Sequence, residues 1–234
     1  MSRPTVAPAP AESALPPLRF PAAARGSRTD ASALIAALGE RSCRSVARAG
    51  QVLLRQGEPH DRVFWIERGR VELSSVSAAG RTCVLDVLVR GEVFGEWSVL
   101  GDRAPPPFAT VASEETLLVG ASAADVEALA RTDRKVAAAL TRLACERALR
   151  MAERLRDAMV LDAEDRILAC LVDLATRAGV STEAGRRVDI SVTQADLARM
   201  SGCSRETVNR TMTRLISERR LLRRGRRYVL PDRR

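Results

Sequence analysis

The sequence predicts an α+β chain, in which an N-terminal antiparallel β-roll leads through a long helix into a C-terminal winged helix-turn-helix. Three observations carry that prediction. Between Gly50 and Val119, glycines at 50, 57, 69, 80, 91, 95 and 101 punctuate short β-prone runs, the texture of an antiparallel barrel or roll. From about Thr132 to Met159 neither glycine nor proline interrupts a helical period. From Thr193 to Leu215 two capped helices flank a glycine turn.

Residues 1–29 hold six of the eleven prolines and no sustained period, so they read as a disordered extension. The roll domain is expected over 30–131, beginning with a short helix from Asp30, its N-cap, to about Leu38. Its strands include VLLR at 52–55, RVFWIE at 62–67, RVELSSV at 70–76 and TCVLDVLV at 82–89. The S-x-x-D of Ser122 and Asp125 is a helix-start signal.

The long helix, expected over 132–160, carries two apolar stripes. Ala138, Thr141, Cys145, Ala148, Ala152, Leu155 and Met159 repeat at spacings of three and four, a heptad seam. Val136, Leu140, Leu143 and Met151 lie on another face. One stripe can pack on the roll, which leaves the small-residue seam for a second copy of the helix. That predicts a parallel homodimer, although one broad face packed within a single chain fits the same pattern.

The C-terminal unit is expected over 161–234: a helix from Asp162 to Ala178, a polar loop from Gly179 to Arg187, a short strand at Val188–Val192, then the two-helix element. Thr193 and Asp196 form a T-x-x-D cap, Gly202 breaks the first helix, and Ser204 caps the second. With Val208, Met212, Leu215 and Ile216 inward, Arg205, Glu206, Asn209 and Arg210 project outward. These types suit major-groove edges: Arg for guanine, Glu for cytosine, Asn for adenine. The Ser204 and Thr207 hydroxyls can anchor phosphates, Thr193 and Gln194 are further candidate DNA-binding residues, and the basic turn around Arg226 reads as a wing.

Charge supports this reading. The net charge is +9, and the segment from Arg199 onward, with twelve arginines and three acids, carries all of it. A basic excess at one end is the footprint of a polyanion-binding domain, though a solvated tail has the same charge. The five cysteines (43, 83, 145, 170 and 203) form no C-x-x-C pair, which argues against a disulfide framework or zinc site and for a reducing cytoplasm. No run reaches the roughly 18 apolar residues of a membrane span. One histidine, His60, sits in a G-E-P-H-D turn, where a surface position is expected rather than a haem ligand. With no nucleophile–base pair, metal cluster or phosphate loop, no enzyme is expected. Cys203, before a helix start and near arginines, is a candidate for redox control; Cys145 lies on the predicted seam.

These motifs resemble a known family. SVTQADLARMSGCSRETVNRTMTRL is similar to the helix-turn-helix of the cyclic-AMP receptor protein and fumarate-nitrate regulator (CRP/FNR) family of bacterial transcription regulators, in its receptor-protein branch. VLDAEDRILACLVDLA resembles its hinge and first DNA-domain helix, and GQVLLRQGEPHDRVFWIERGRVEL with GEVFGEWSVL resembles its cyclic-nucleotide-binding roll. The match covers 45–231. The resemblance implies base reading by Arg205, Glu206 and Arg210, TGTGA-like half-sites rather than TTGAT, a homodimer on double-stranded DNA, and RNA polymerase as a partner.

The implied effector pocket departs from the family pattern. Gly95, Glu96, Trp97 and Ser98 stand where the family's Gly-Glu run begins, but Pro106-Pro107 replace the Arg-Ser that grips the cyclic phosphate. Met151-Ala152 replace the Thr-Ser that contacts adenine. Losing a charged contact (roughly 1.5–3 kcal/mol) and two neutral ones (about 1 kcal/mol each) removes useful cyclic-AMP binding. The expectation is a regulator that does not depend on cyclic AMP, or one gated by cyclic di-GMP or cyclic AMP through a modified pocket that uses Glu96 and Arg103. No cofactor is expected, because the cysteine cluster that holds iron–sulfur is missing.

Overall fold

The computed structural model describes residues 34–80, 82–100, 105–106, 108–225 and 227–232. The extension at 1–29, Asp30, Arg103, Pro107 and Arg226 lie outside them. A helix at 34–38 (α1) leads into β1 (Cys43–Ala47), β2 (Val52–Leu54), β3 (Arg62–Arg68), β4 (Arg70–Val76), β5 (Thr82–Val89) and β6 (Val93–Phe94). A one-turn helix, α2 (Trp97–Leu100), precedes β7 (Ala109–Ala112) and β8 (Thr116–Ser122). Two four-stranded antiparallel sheets, ordered β1-β8-β3-β6 and β2-β7-β4-β5, face one another. Ile66, Val71, Leu73, Leu88, Phe94 and Leu118 fill the space between them. Their alternation along each strand puts one face inward, as the period of two requires.

Ser122 caps α3 (Ala123–Thr132) by accepting from the Asp125 amide, 3.0 Å. Asp133, in extended conformation, ends α3 and caps α4 (Arg134–Val160). Val136 and Leu140 of α4 bury against the roll with Val63, Val93 and Val126, so one expected stripe does pack inward. The residues of the other stripe, Ala138, Thr141, Cys145, Ala148, Ala152, Leu155 and Met159, are all exposed.

Asp162 caps α5 (Ala163–Ala178). The segment 179–187 is a β-hairpin rather than a loop, β9 (Gly179–Thr182) with β10 (Gly185–Val188), and no strand continues through 189–192. The hairpin joins α6 (Gln194–Ser201), α7 (Arg205–Ser217), β11 (Leu222–Arg224) and β12 (Arg227–Leu230), in a sheet ordered β11-β12-β10-β9. Ile167, Leu171, Leu174, Leu197, Val208, Met212 and Leu215 form this unit's core. Val84 and Val87 of β5 belong to the same cluster, so the C-terminal unit is seated on the outer face of the roll.

Candidate nucleic-acid interface and effector pocket

The reading element is built by its caps. Thr193 Oγ1 accepts from the Asp196 amide (3.1 Å) while Asp196 Oδ2 accepts from the Thr193 amide (3.0 Å), so two orphan donors of α6 are satisfied reciprocally. Gly202 ends the helix at φ +67°, a left-handed conformation that other residues rarely adopt. Ser204 then accepts from the Thr207 amide, 3.0 Å, to start α7. Val208, Met212 and Leu215 are buried and Ile216 is half-buried. That stripe sets the opposite face: Arg205, Glu206, Asn209 and Arg210 are all exposed.

The side chains of Arg205, Glu206 and Arg210 make no ion pair with any described residue. Their charge is free for an external partner. Asn209 is held differently, because Gln194 Nε2 donates to its Oδ1 across the two helices, 3.1 Å. Ser204 Oγ and Thr207 Oγ1 bond each other at 2.9 Å, which leaves one hydroxyl hydrogen between them for outside use. In the wing, Gly225 turns β11 into β12, and Arg223 and Arg224 are exposed. Arg227 points back, donating to the Asp189 carbonyl at 2.7 Å.

The effector-pocket residues separate. Gly95 has φ +83°, and a Cβ there would meet the Arg62 carbonyl oxygen at 2.3 Å. Only glycine permits the turn that sends Glu96 inward. Buried Glu96 is met by Arg147 of α4, which bonds its Oε1 and also donates to the Val93 carbonyl. Glu96 Oε2 and Arg147 Nε are buried without a partner among the described residues. Ser98 turns back, its hydroxyl donating to the Gly95 carbonyl at 2.7 Å. Trp97 is 42% exposed. Met151 packs on the roll's apolar cluster, as do Phe64, Trp65 and Phe108, whereas Ala152 faces outward on the exposed stripe of α4. Pro106 is buried, its carbonyl accepting from the Gly57 amide at 2.9 Å.

Arg147 was not singled out by sequence reasoning. Its signal was its position, a lone arginine continuing the stripe Val136, Leu140, Leu143, Met151. An arginine on a buried stripe needs a buried carboxylate. His60 is half-buried with Nδ1 enclosed, rather than on the surface, and burial lowers its pKa. No group of metal-ligating residues occurs among the described residues. Cys203 is half-buried, its sulfur 3.6 Å from Arg166 Nη2.

A third polar cluster joins the units. Asp86, fully buried on β5, faces Arg177 of α5 (3.2 Å) and Arg154 and Arg150 of α4 (3.0 and 3.4 Å). Burial by itself raises the carboxyl's pKa, but Arg177, Arg154, Arg150 and Arg147 outweigh it and bring it down to about 2.

Comparison with known proteins places both units. Residues 44–133 match the cyclic nucleotide-binding domain family, and 165–234 match the Crp-like helix-turn-helix domain family. A CRP-like cAMP-activated global transcriptional regulator of Mycobacterium tuberculosis is 31% identical over 166 residues, covering 70% of this chain and 72% of that one. The nitrogen fixation regulation protein FixK of Azorhizobium caulinodans is 29% identical over 237 residues, covering 97% of this chain and 93% of its own length. The solved structure of FixK2 from Bradyrhizobium japonicum superposes with a TM-score of 0.73 at 20% identity, covering 82% of this chain and 93% of that one, and so shares the fold. Among the described residues no helix is long and apolar enough to cross a membrane.

Proposed function

This chain belongs to the CRP/FNR family of bacterial transcription regulators, and on that premise we propose that it is a homodimeric, sequence-specific regulator that binds DNA without requiring cyclic AMP. The observation that carries the DNA reading is the α7 face, where Arg205, Glu206 and Arg210 stand exposed and unpaired. Arg205 and Arg210 are fitted to guanine acceptors and Glu206 to a cytosine amino group, on TGTGA-like half-sites arranged as a palindrome. The dimer reading rests on the exposed stripe of α4, where Leu155 is 63% and Met159 78% exposed. A second helix would bury that stripe. RNA polymerase is the further partner proposed with this reading.

Independence of cyclic AMP rests on the pocket. Arg147 already satisfies one oxygen of Glu96, Met151 offers no hydrogen bond, and Pro106 is committed to the roll. A second reading keeps a nucleotide effector, as in the cAMP-activated relative, and draws on the unpartnered Glu96 Oε2. Calorimetry of the full chain with cyclic AMP and cyclic di-GMP separates the two, and micromolar binding of cyclic AMP refutes the first. Selection of bound sites from random DNA tests half-site and spacing together. Arg205→Ala is expected to weaken the selected site about 5- to 100-fold, the value of one good base contact. Unchanged binding would sink the DNA reading.

A further inference from the structure

On β4, Val71 and Leu73 point into the roll and Arg70 and Glu72 point out, yet both charged side chains are buried. What covers them is α6. Arg199 forks onto Glu72, Nη1 to Oε1 at 3.0 Å and Nη2 to Oε2 at 2.9 Å. Arg70 Nη2 stands 3.4 Å from Asp196 Oδ2, and Arg199 Nη2 stands 3.0 Å from Asp196 Oδ1. The four charges alternate in sign along the run Arg70, Asp196, Arg199, Glu72. Glu114, whose Oε2 is 3.9 Å from Arg70 Nε, flanks them. The fork is shielded on its Glu72 side only, since Arg199 is 44% exposed, and its two parallel bonds make it more directional than a single-contact pair.

Asp196 has a second commitment. The oxygen that meets Arg70 also accepts the Thr193 amide and so starts α6. The roll therefore grips α6 at its first turn. From that same turn Gln194 reaches Asn209 on the reading face of α7. The apolar contact of Val84 and Val87 with the C-terminal core lies beside it. It adds cohesion without direction; direction comes from polar pairs, the Asp86–Arg177 cluster at α5 and, at α6 itself, the fork and the Arg70 pair.

We propose that Arg70 and Glu72 are positioning residues for DNA reading: they seat α6 on β4 and thereby fix the orientation of Arg205, Glu206 and Arg210 relative to α4. This rests on the dimeric reading above. In a dimer paired along α4, that orientation sets the distance between the two recognition helices, and hence the separation of half-sites the protein accepts.

The test uses the full chain and a panel of duplexes with two half-sites, their separation varied one base pair at a time, plus duplexes with single-base changes inside one half-site. Wild type should show a sharp optimum of separation. Arg70→Gln with Glu72→Gln should flatten it and lower affinity at the optimum about tenfold, within the range of ordinary coupling between sites. Base preference inside the half-site should stay as in wild type. Arg70→Lys, which keeps the positive charge facing Asp196, should retain the optimum. An unchanged separation profile in the Arg70→Gln/Glu72→Gln protein overturns the proposal and leaves the dimer reading standing. So does an Arg70→Lys profile as flat as that of the Arg70→Gln/Glu72→Gln protein. A wild type with no optimum at all overturns both.

Discussion

Asn209 shows how much a single hydrogen bond can decide. An exposed asparagine ordinarily samples several rotamers, and its amide can face either way. Here Gln194 donates to Oδ1, so the amide NH2 is presented outward while Oδ1 keeps one free lone pair. Gln194→Ala should therefore relax base preference at the position under Asn209, by up to about 1–3 kcal/mol, and leave affinity for nonspecific DNA close to wild type. Binding to four duplexes differing at that position measures it; uniform weakening would instead mark Gln194 as a phosphate contact. The exposure of Arg205, Glu206 and Arg210 was legible in the sequence because one buried stripe dictates the opposite face of a helix. The Gln194 bond was not, since it joins two helices whose crossing no periodicity specifies. Arg147 is the parallel case in the roll. Arg147→Ala strands the Glu96 carboxylate in the interior and should cost about 3–5 kcal/mol in urea unfolding. Adding Glu96→Leu to an Arg147→Met chain should recover most of that loss.

At the scale of elements, amphipathic helices were readable and polar strands were not. The two stripes of α4 separate, one turned inward with Val136 and Leu140 buried and Leu143 and Met151 half-buried, the other exposed, because the period of 3.6 is written in residue type. The hairpin of β9 and β10 was hidden. Its residues 185–188 read GRRV, and Gly185 at φ +121° lies 2.2 Å, by its absent Cβ, from the Leu230 carbonyl oxygen. Arg186 is charged, yet it is turned onto the end of α5, its Nε donating to the Ala175 carbonyl at 2.6 Å. Capping a helix end and forming a strand in one residue leaves no alternating pattern to read. The exposed stripe of α4 leads to a prediction of its own. Leu155→Glu puts like charges face to face across a two-fold contact, so sedimentation at micromolar concentration should shift from dimer to monomer. Circular dichroism should stay unchanged, because 63% of Leu155 is already outside the chain's own core. A dimer that survives would move the contact away from this stripe.

Across the whole molecule, what holds roll, long helix and reading unit together is a set of charges far apart in sequence. Asp86 meets Arg150, Arg154 and Arg177, 64 to 91 residues away. Arg177 also reaches Glu92 (3.0 Å) and Asp173 (2.6 Å). No local pattern announces such a cluster, because each member taken alone looks like a solvated charge on a strand or helix. Its effect is measurable through pH. The Asp86 carboxyl sits at about 2 in the folded chain against an ordinary 3.8, so the unfolded chain binds this proton more readily. Its contribution, on the order of 2 kcal/mol, is fully present above pH 3.8 and drains away as the pH falls toward about 2. Urea midpoints for wild type should fall across that window. Asp86→Asn should lose on the order of 2 kcal/mol at neutral pH, since Arg150, Arg154 and Arg177 lose one carboxylate but keep Glu92 and Asp173, and its acid limb should be correspondingly shallower. Equal slopes in the two proteins would mean that Asp86 does not carry the junction. Asp86→Asn should also bind DNA more weakly at protein concentrations below saturation, because the reading unit depends in part on this seat for its place beside α4.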